Sequence, residues 1–222
     1  MMPKTNPIVT TNLVMNLDAS NPSSYSGSGV NWFDISGNSN NAVLTNGPTF
    51  DSGNGGSILF DGTNDYAILP NINFTNEFTA SGWIYITASG NESLIGNWQG
   101  TGSTDSWLVT SQGNNTMYFF TSNPANTVFG VVNDGGYSLN TWYHYTAVFN
   151  NGVQKIYRNG IEKGTSNVGY TSIYQNAKNL WIAHYSTAYL NGKIPQLLLY
   201  NRALTATEIL QNFNATKTKF GL

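Results

Sequence analysis

Short runs of aromatic and β-branched residues, separated by Gly and Asn, fill this 222-residue chain and restrict it to a β architecture. Asn-Gly stands between two such pairs of runs, at Asn151-Gly152 and at Asn159-Gly160. Because Asn-Gly supplies the two positive φ angles of a type I′ hairpin turn, we expect a three-stranded antiparallel meander here. The sequence shows no helices of the kind that parallel crossovers need, so the sheets are predicted to be antiparallel.

The predicted elements are thirteen strands and one helix. The helix begins after Thr205, which with Glu208 forms a capping box between the staple residues Leu204 and Ile209. It is expected to run to about residue 213 and to dock on the sandwich through Ile209, Leu210 and Phe213. Residues 36–48 and 50–56 are predicted to be ordered loops. The predicted strands cover residues 13–18, 57–60, 66–69, 78–86, 93–98, 107–111, 116–121, 127–132, 142–150, 153–158, 161–164, 180–184 and 192–200.

Composition excludes several classes of site and partner. The chain has no Cys, so it has neither disulfides nor thiolate metal sites. Only 9% of its residues are charged and its net charge is −2, which argues against nucleic acid as a partner. No apolar run approaches the ~20 residues of a membrane span, so no membrane insertion is expected. No signal peptide is recognisable, and with no linker in view we expect residues 1–222 to be a single domain.

The titratable residues do not form a recognisable catalytic pattern. Glycoside hydrolases need two carboxylates about 5 to 9.5 Å apart, which a β-strand provides most simply at positions i and i+2. None of the four glutamates has an acidic neighbour two residues away. His144 and His184 lack metal-ligand spacing and are interpreted as structural. We therefore predict that the chain is not an enzyme and has no catalytic residues; the glutamates are Glu77, Glu92, Glu162 and Glu208.

Several segments in series resemble one family, the laminin-G-like, concanavalin A-like lectin/glucanase jelly rolls. They are Leu17-Asp-Ala-Ser-Asn-Pro, Trp32-Phe-Asp-Ile-Ser-Gly-Asn, Ile58-Leu-Phe-Asp-Gly-Thr-Asn-Asp-Tyr, Phe78-Thr-Ala-Ser-Gly-Trp-Ile, Trp142-Tyr-His-Tyr-Thr-Ala-Val-Phe, Ile156-Tyr-Arg-Asn-Gly and Leu190-Asn-Gly-Lys-Ile. The resemblance implies an all-β, antiparallel jelly-roll β-sandwich, here with one short C-terminal helix. It also implies carbohydrate or protein ligands, bound at loops or on one sheet.

The same resemblance raises the question of a structural calcium ion. Many members of the family hold one near a segment like Phe60-Asp-Gly-Thr-Asn-Asp-Tyr, where Asp61 and Asp65 would be the ligands. Calcium prefers six to eight oxygen ligands. Where relatives often carry an acidic residue after Gly-Lys-Ile, this chain has Pro195 and Gln196. The alternative interpretation gives both aspartates the role of turn caps.

Two loops carry exposed aromatic candidates for a sugar platform, in which aromatic rings receive sugar C–H groups while amides and carboxylates bind hydroxyls. The first loop lies between Trp98 and Trp107, and the second between Tyr185 and Tyr189. The predicted ligand-binding residues are Asn97, Trp98, Gln99, Asp105, Trp107, Tyr185 and Tyr189.

Three functional hypotheses follow. The first is a non-catalytic, lectin-like module on a bacteriophage virion, of the tail-fibre or capsid-decoration type, that binds a host-surface glycan; Asn-rich, Cys-free domains of this kind resemble phage structural proteins. The second is a purely structural virion module with protein partners only. The third is a glycoside hydrolase. Because sandwich edges must be covered, we also expect a homo-oligomer.

Overall fold

The computed structural model describes residues 7–98, 100 and 105–222, which form two packed antiparallel sheets. The strands are β1 Leu13–Asp18, β2 Asn31–Trp32, β3 Ala42–Thr45, β4 Thr49–Asp51, β5 Ser57–Asp61, β6 Tyr66–Leu69, β7 Glu77–Ile86, β8 Ser93–Asn97, β9 Trp107–Gln112, β10 Thr116–Ser122, β11 Phe129–Asn133, β12 Trp142–Asn150, β13 Val153–Arg158, β14 Ile161–Asn167, β15 Leu180–Ile182, β16 His184–Tyr185, β17 Ala188–Tyr189, β18 Asn191–Ile194 and β19 Gln196–Tyr200. The α-helix α1 spans Ala206–Thr216, and short 3₁₀ turns cover Gly53–Gly55 and Lys217–Phe220.

The long strand β7 lies at the centre of the first sheet, here called sheet A. On one side it pairs with β12, which is followed by β13 and β14. On its other side it pairs with both β18 and β19; β18 leads on to β5 and β4, and β19 pairs with β1. Sheet B has the strand order β11-β10-β9-β8-β15-β6-β3-β2, and β16 and β17 form a separate hairpin. The predicted fold class, an antiparallel sandwich with one short C-terminal helix, is confirmed.

Both Asn-Gly corners adopt the backbone conformation predicted for them. The φ angles are 46° and 93° at Asn151 and Gly152, and 53° and 79° at Asn159 and Gly160. Positive φ at both central positions matches the right-handed twist of the flanking strands. The strands β12, β13 and β14 accordingly form the predicted meander.

Three local predictions need correction. Residues 42–45, 50 and 51, predicted to lie in loops, belong to the strands β3 and β4, because these strands pair with β6 and β5. The strand predicted over 192–200 is divided at Pro195, whose carbonyl accepts a hydrogen bond from Ala19 N. Leu210, predicted to dock, is 43% exposed.

The core fills the space between the sheets, and side chains alternate along each strand to reach it. In β12, Tyr145 and Phe149 face the main core, while His144 faces outward against Trp83 and Phe213. Phe78 lies at the centre of an aromatic cluster; its neighbours are Phe74, Trp107, Phe119 and Phe149, with ring centroids 4.8 to 6.1 Å away. Burying each such ring contributes roughly 1.5–3 kcal/mol.

The C-terminal helix covers the outer surface of sheet A. The capping box is present, since Thr205 Oγ1 accepts from Glu208 N and Glu208 Oε2 accepts from Thr205 N. Phe213 packs on Trp83, whose Nε1 donates to Thr216 Oγ1 at 2.8 Å. No helix in the described part of the chain has the length and apolar character needed to cross a membrane.

Candidate functional site: an aromatic groove on the outer surface of sheet B

The alternation of β9 and β10 places a mixed aromatic and polar surface on the outside of sheet B. In β9, Trp107 and Val109 point into the core, so Leu108 and Thr110 point outward. In β10, Met117 and Phe119 face the core, and Tyr118 and Phe120 face outward. The aromatic groove is the depression of about 110 Å³ on this surface; its lining residues are Trp98, Leu108, Thr110, Gln112, Phe120 and Tyr185.

One wall of the groove is a ridge of aromatic rings. Trp98 directly follows β8, and its ring centroid lies 5.8 Å from that of Phe120 and 5.2 Å from that of Phe129. Tyr118 stacks on Phe120 at 5.6 Å. These separations are in the range of favourable aromatic pairs, so neighbouring rings hold Trp98 in place while it remains partly exposed.

The opposite wall comes from the β16–β17 hairpin. Tyr185 lines the groove together with Trp98, and its phenol is hydrogen-bonded to the Thr110 side chain. Burial raises the pKa of Tyr185, so the phenol is neutral and able to donate or accept a hydrogen bond. Gln112 also lines the groove, so the groove offers a phenol and an amide beside its rings, whereas the Thr110 hydroxyl is fully buried.

A second aromatic cluster supports the hairpin. His184 lies between Trp181 and Tyr189, with ring centroids 4.3 Å away on each side, and Tyr66 is 5.3 Å away. His184 Nδ1 is 2.9 Å from the Ala188 carbonyl, and burial lowers the pKa of this imidazole. A neutral, stacked histidine in this position fixes the hairpin that carries Tyr185.

The two loops singled out in the sequence meet in the structure, and they bring Trp98 and Tyr185 into the same groove. A Cβ atom on Gly100 would lie only 2.8 Å from Ser186 Oγ, which shows how closely the loops approach. Tyr189 contributes to the neighbouring cluster through His184.

The remaining predicted residues lie elsewhere. Trp107 is 1% exposed because it occupies an inward position of β9, so its ring is part of the core. Asn97 is buried and donates to Asn71 Oδ1 and to the Lys178 carbonyl. Asp105 is buried and accepts from Gly100 N. Gln99 lies outside the described residues.

Sequence reasoning missed the outward-facing partners Thr110, Gln112 and Phe120. The signal was present as the alternation of two neighbouring predicted strands. This alternation did not identify the outer face, because apolar residues occupy both faces of β9 and of β10.

The candidate calcium ligands are engaged with the backbone. Asp61 Oδ1 accepts from Thr63 N at 2.8 Å, and Asp65 Oδ2 accepts from Asp61 N at 3.2 Å. Burial and the neighbouring Asp61 raise the pKa of Asp65. Among the described residues, no group of three or more His, Cys, Asp and Glu side chains converges as metal ligands would. Calcium at this segment stays a prediction.

Comparison with known proteins shows which family the sequence matches. The model of Laminin_G_3, the concanavalin A-like lectin/glucanases superfamily, matches residues 61–210. No curated protein sequence matches the chain. The structure is similar to the binding domain of Paraclostridial Mosquitocidal Protein 1, with TM-score 0.75 and 19% identity over 93% of this chain and 52% of that one.

Botulinum neurotoxin binding domains are similar as well. The serotype D ligand binding domain in complex with N-acetylneuraminic acid has TM-score 0.73 and 14% identity, covering 92% of this chain and 51% of that one. The receptor binding domain of the C/D mosaic serotype has TM-score 0.71 at 14% identity, with coverage of 92% and 51%. The chain thus spans about half the length of these solved structures, and at such identities the likeness is one of fold. On the family match, which covers more than half of its residues, the chain belongs to the concanavalin A-like lectin/glucanase superfamily.

Proposed function

We propose that the chain is a non-catalytic carbohydrate-binding module that binds an extended glycan along the aromatic groove. The observation that carries this proposal is that the rings of Trp98, Phe120 and Tyr185 line one groove together with the side chain of Gln112. Aromatic rings receive the C–H faces of a sugar, and hydroxyl and amide groups bind its hydroxyls with defined direction.

The dimensions of the surface suit a chain of several sugars better than a single one. Outward-facing aromatic side chains lie on β11, β10 and β15 and, as Trp98, just after β8; with β9 these are five neighbouring strands of sheet B. At a strand spacing of about 4.8 Å, these strands extend over roughly 20 Å. The groove itself encloses little volume, so most of the ligand would lie on the surface.

The residues of the groove support binding without catalysis. No Asp or Glu is among the described residues that line it, and glycoside hydrolysis needs two carboxylates. Glu162 lies on the other sheet, where its Oε2 is 2.9 Å from Lys155 Nζ, and Glu208 is paired with Arg202. Comparison adds that similar solved structures include binding domains, one of them in complex with N-acetylneuraminic acid.

A glycan array followed by calorimetry tests the proposal. We expect the purified chain to bind a defined set of oligosaccharides, and Trp98→Ala to weaken the binding by at least about tenfold, since truncating a central aromatic contact commonly removes 2 kcal/mol or more. Trp142→Ala is the matched control, because Trp142 is also partly exposed and ring-packed but lies on sheet A.

The controls separate binding from other roles. Equal affinities of the Trp98→Ala and wild-type chains would contradict the proposed site. Release of reducing sugar from a bound glycan, abolished by substituting one Asp or Glu, would contradict the non-catalytic assignment. Thermal melting of each variant shows whether a loss of binding reflects loss of the fold.

We further place the module on a bacteriophage virion. This location rests on the resemblance of its Asn-rich, Cys-free segments to phage structural domains. Capsid or tail genes next to the coding sequence would support it, and a neighbourhood without virion genes would contradict it.

A structural role is the second candidate, and an exposed apolar strip favours it. Val128, Phe129 and Val131 are each 45% exposed or more, on the edge strand β11 and just before it. Such a strip is typical of protein contact surfaces. A chain that assembles with a virion protein but binds no glycan would support this alternative.

A further inference from the structure

Charge is distributed unevenly between the two sheets. All eight strands of sheet B lie within the described residues, and none of them contains Asp, Glu, Lys or Arg. The β16–β17 hairpin adds only His184 as a basic residue, and burial lowers the pKa of this imidazole, so it is neutral at pH 7. The charged residues in the strands of sheet A are Asp18, Asp51, Asp61, Glu77, Lys155, Arg158, Glu162, Lys163 and Lys193.

One row of paired residues crosses the outer surface of sheet B from edge to edge. Each member is paired with the next in the antiparallel ladders, so the row runs across the strands. The residues next to them in the chain belong to the core, so the row faces outward. From β2 to β11 its members are Asn31, Val43, Ile68, Trp181, Gly96, Leu108, Phe120 and Val131.

The aromatic groove is part of this neutral surface, since Leu108 and Phe120 belong both to the row and to the lining of the groove. Its polar groups are the Gln112 amide and the Tyr185 phenol, and burial raises the pKa of that phenol. Both groups are uncharged at pH 7, and each can donate and accept a hydrogen bond. A sugar hydroxyl, which also donates and accepts, is their natural partner.

The charged residues of the loops beside Trp98 contribute to other parts of the molecule. Residues 99–104, which follow Trp98, contain no charged residue in the sequence. Asp105 is buried. Lys178, two residues before β15, lines a different depression, which it shares with Asn73.

A negative charge on the ligand would therefore be unfavourable at this surface. Binding removes water from the ligand groups that meet the protein, and a carboxylate or sulfate loses its hydration without gaining an opposite charge. Hydroxyl groups lose less, because an amide and a phenol replace their hydrogen bonds to water. The C–H faces of a sugar meanwhile gain contact with the aromatic rings.

We propose that the outer surface of sheet B selects uncharged glycans and rejects those that place a carboxylate or sulfate group over the aromatic groove. This inference rests on the proposed function and specifies the class of its ligand. Since no ion pair forms between glycan and protein, the binding is insensitive to salt.

Glycans that are matched except for a charged group test the proposal. The probes are N-acetyllactosamine with and without a terminal N-acetylneuraminic acid, and oligogalacturonate as its methyl ester and as its free acid, on an array of neutral and acidic glycans. We expect the bound glycans to be neutral. Within any matched pair that binds, the neutral member should bind at least about tenfold more tightly, and its affinity should change by less than about twofold between roughly 0.05 and 0.5 M salt.

Val131→Lys tests whether charge is the basis of this selection. Val131 is 45% exposed, lies beside Phe120 in the row and does not line the groove. We expect the added cation to raise the affinity for the acidic member of a pair, relative to the neutral one, by about two- to fivefold, as an exposed ion pair would. Ile161→Lys is the matched control, because Ile161 is 60% exposed and lies on sheet A.

Three results would overturn the proposal. They are tighter binding of the acidic member of a pair, an affinity that falls tenfold or more over the same range of salt, and identical glycan preferences of the Val131→Lys and Ile161→Lys chains. Binding of acidic glycans that Trp98→Ala abolishes would contradict this inference and leave the proposed function standing. A chain that binds no glycan would contradict both.

Discussion

At the scale of single residues, the carboxyl group of Glu92 makes stability depend on pH. Glu92 is 4% exposed, and its Oε2 accepts from Asn191 N at 2.6 Å. Burial raises its pKa to about 7 from the ordinary 4.5, and the Asn191 bond opposes the rise. Between these values the folded chain keeps a proton that the unfolded chain has lost, so stability falls as the pH rises from 4.5 to 7.

Glu92→Gln should remove this fall. Between pH 4.5 and 7 the free energy of unfolding of the wild-type chain is expected to fall by on the order of 2 kcal/mol because of Glu92. The variant should not show this contribution. Urea unfolding of both chains at several pH values measures the difference. The pKa of the buried His144 is lowered to about 3, so this residue makes stability rise with pH below 6.5. Both chains contain His144, so its contribution cancels when their pH profiles are compared. Parallel pH profiles would contradict this account of Glu92.

Single aromatic residues show how far sequence predicts a site. Trp98 and Trp107 both flank the same polar stretch, so composition cannot show which of the two rings is exposed. The structure does, because Trp107 takes an inward position of β9 while Trp98 follows the end of β8 and lies over Phe120. The register in which β9 pairs with β8 and β10 decides which ring faces outward.

At the scale of elements, the turns were predictable and the shortest strands were not. Asn-Gly corners and the Thr205–Glu208 capping box are local signals, in which the residues themselves specify the backbone. Strands β3 and β4 have four and three residues, and they are held extended by pairing, β3 with the more distant β6 and β4 with the following strand β5. Their own Asn-, Gly- and Pro-rich surroundings indicate loops, which explains the error.

The hairpin between β12 and β13 provides a test at this scale. Gly152 and Gly169 both have positive φ, but only at Gly152 would a Cβ meet a backbone atom, the Tyr170 carbonyl oxygen, at 2.6 Å. We expect Gly169→Ala to lower the free energy of unfolding by about 1 kcal/mol from backbone conformation alone. Gly152→Ala should lower it by at least about 1 kcal/mol more. Equal losses in denaturant unfolding would show that the close approach to Tyr170 is unimportant.

At the scale of the whole molecule, the main core draws residues from Met15 to Leu199. The prediction of a single domain therefore has a direct consequence for unfolding. Calorimetry should show one transition whose measured enthalpy equals the van't Hoff enthalpy. Two separable transitions would contradict the single-domain prediction.

Assembly is the other prediction at this scale. On the edge strand β11, Gly130 N donates to Tyr170 Oη, and the side chains of Phe129 and Val131 are exposed as an apolar contact surface. If the predicted homo-oligomer forms through this strip, Phe129→Ser should shift the chain toward monomer in analytical ultracentrifugation. A wild-type chain that is monomeric at micromolar concentration would contradict the prediction.

The central claim is that the outer surface of sheet B binds a glycan. A crystal structure of the chain with an oligosaccharide chosen from the array tests it most directly. The account predicts a sugar ring in contact with Trp98 or Tyr185, within about 4 Å, and hydroxyls bonded to the Gln112 amide or the Tyr185 phenol. A glycan bound only at other places on the molecule, with this groove empty at saturation, would contradict it.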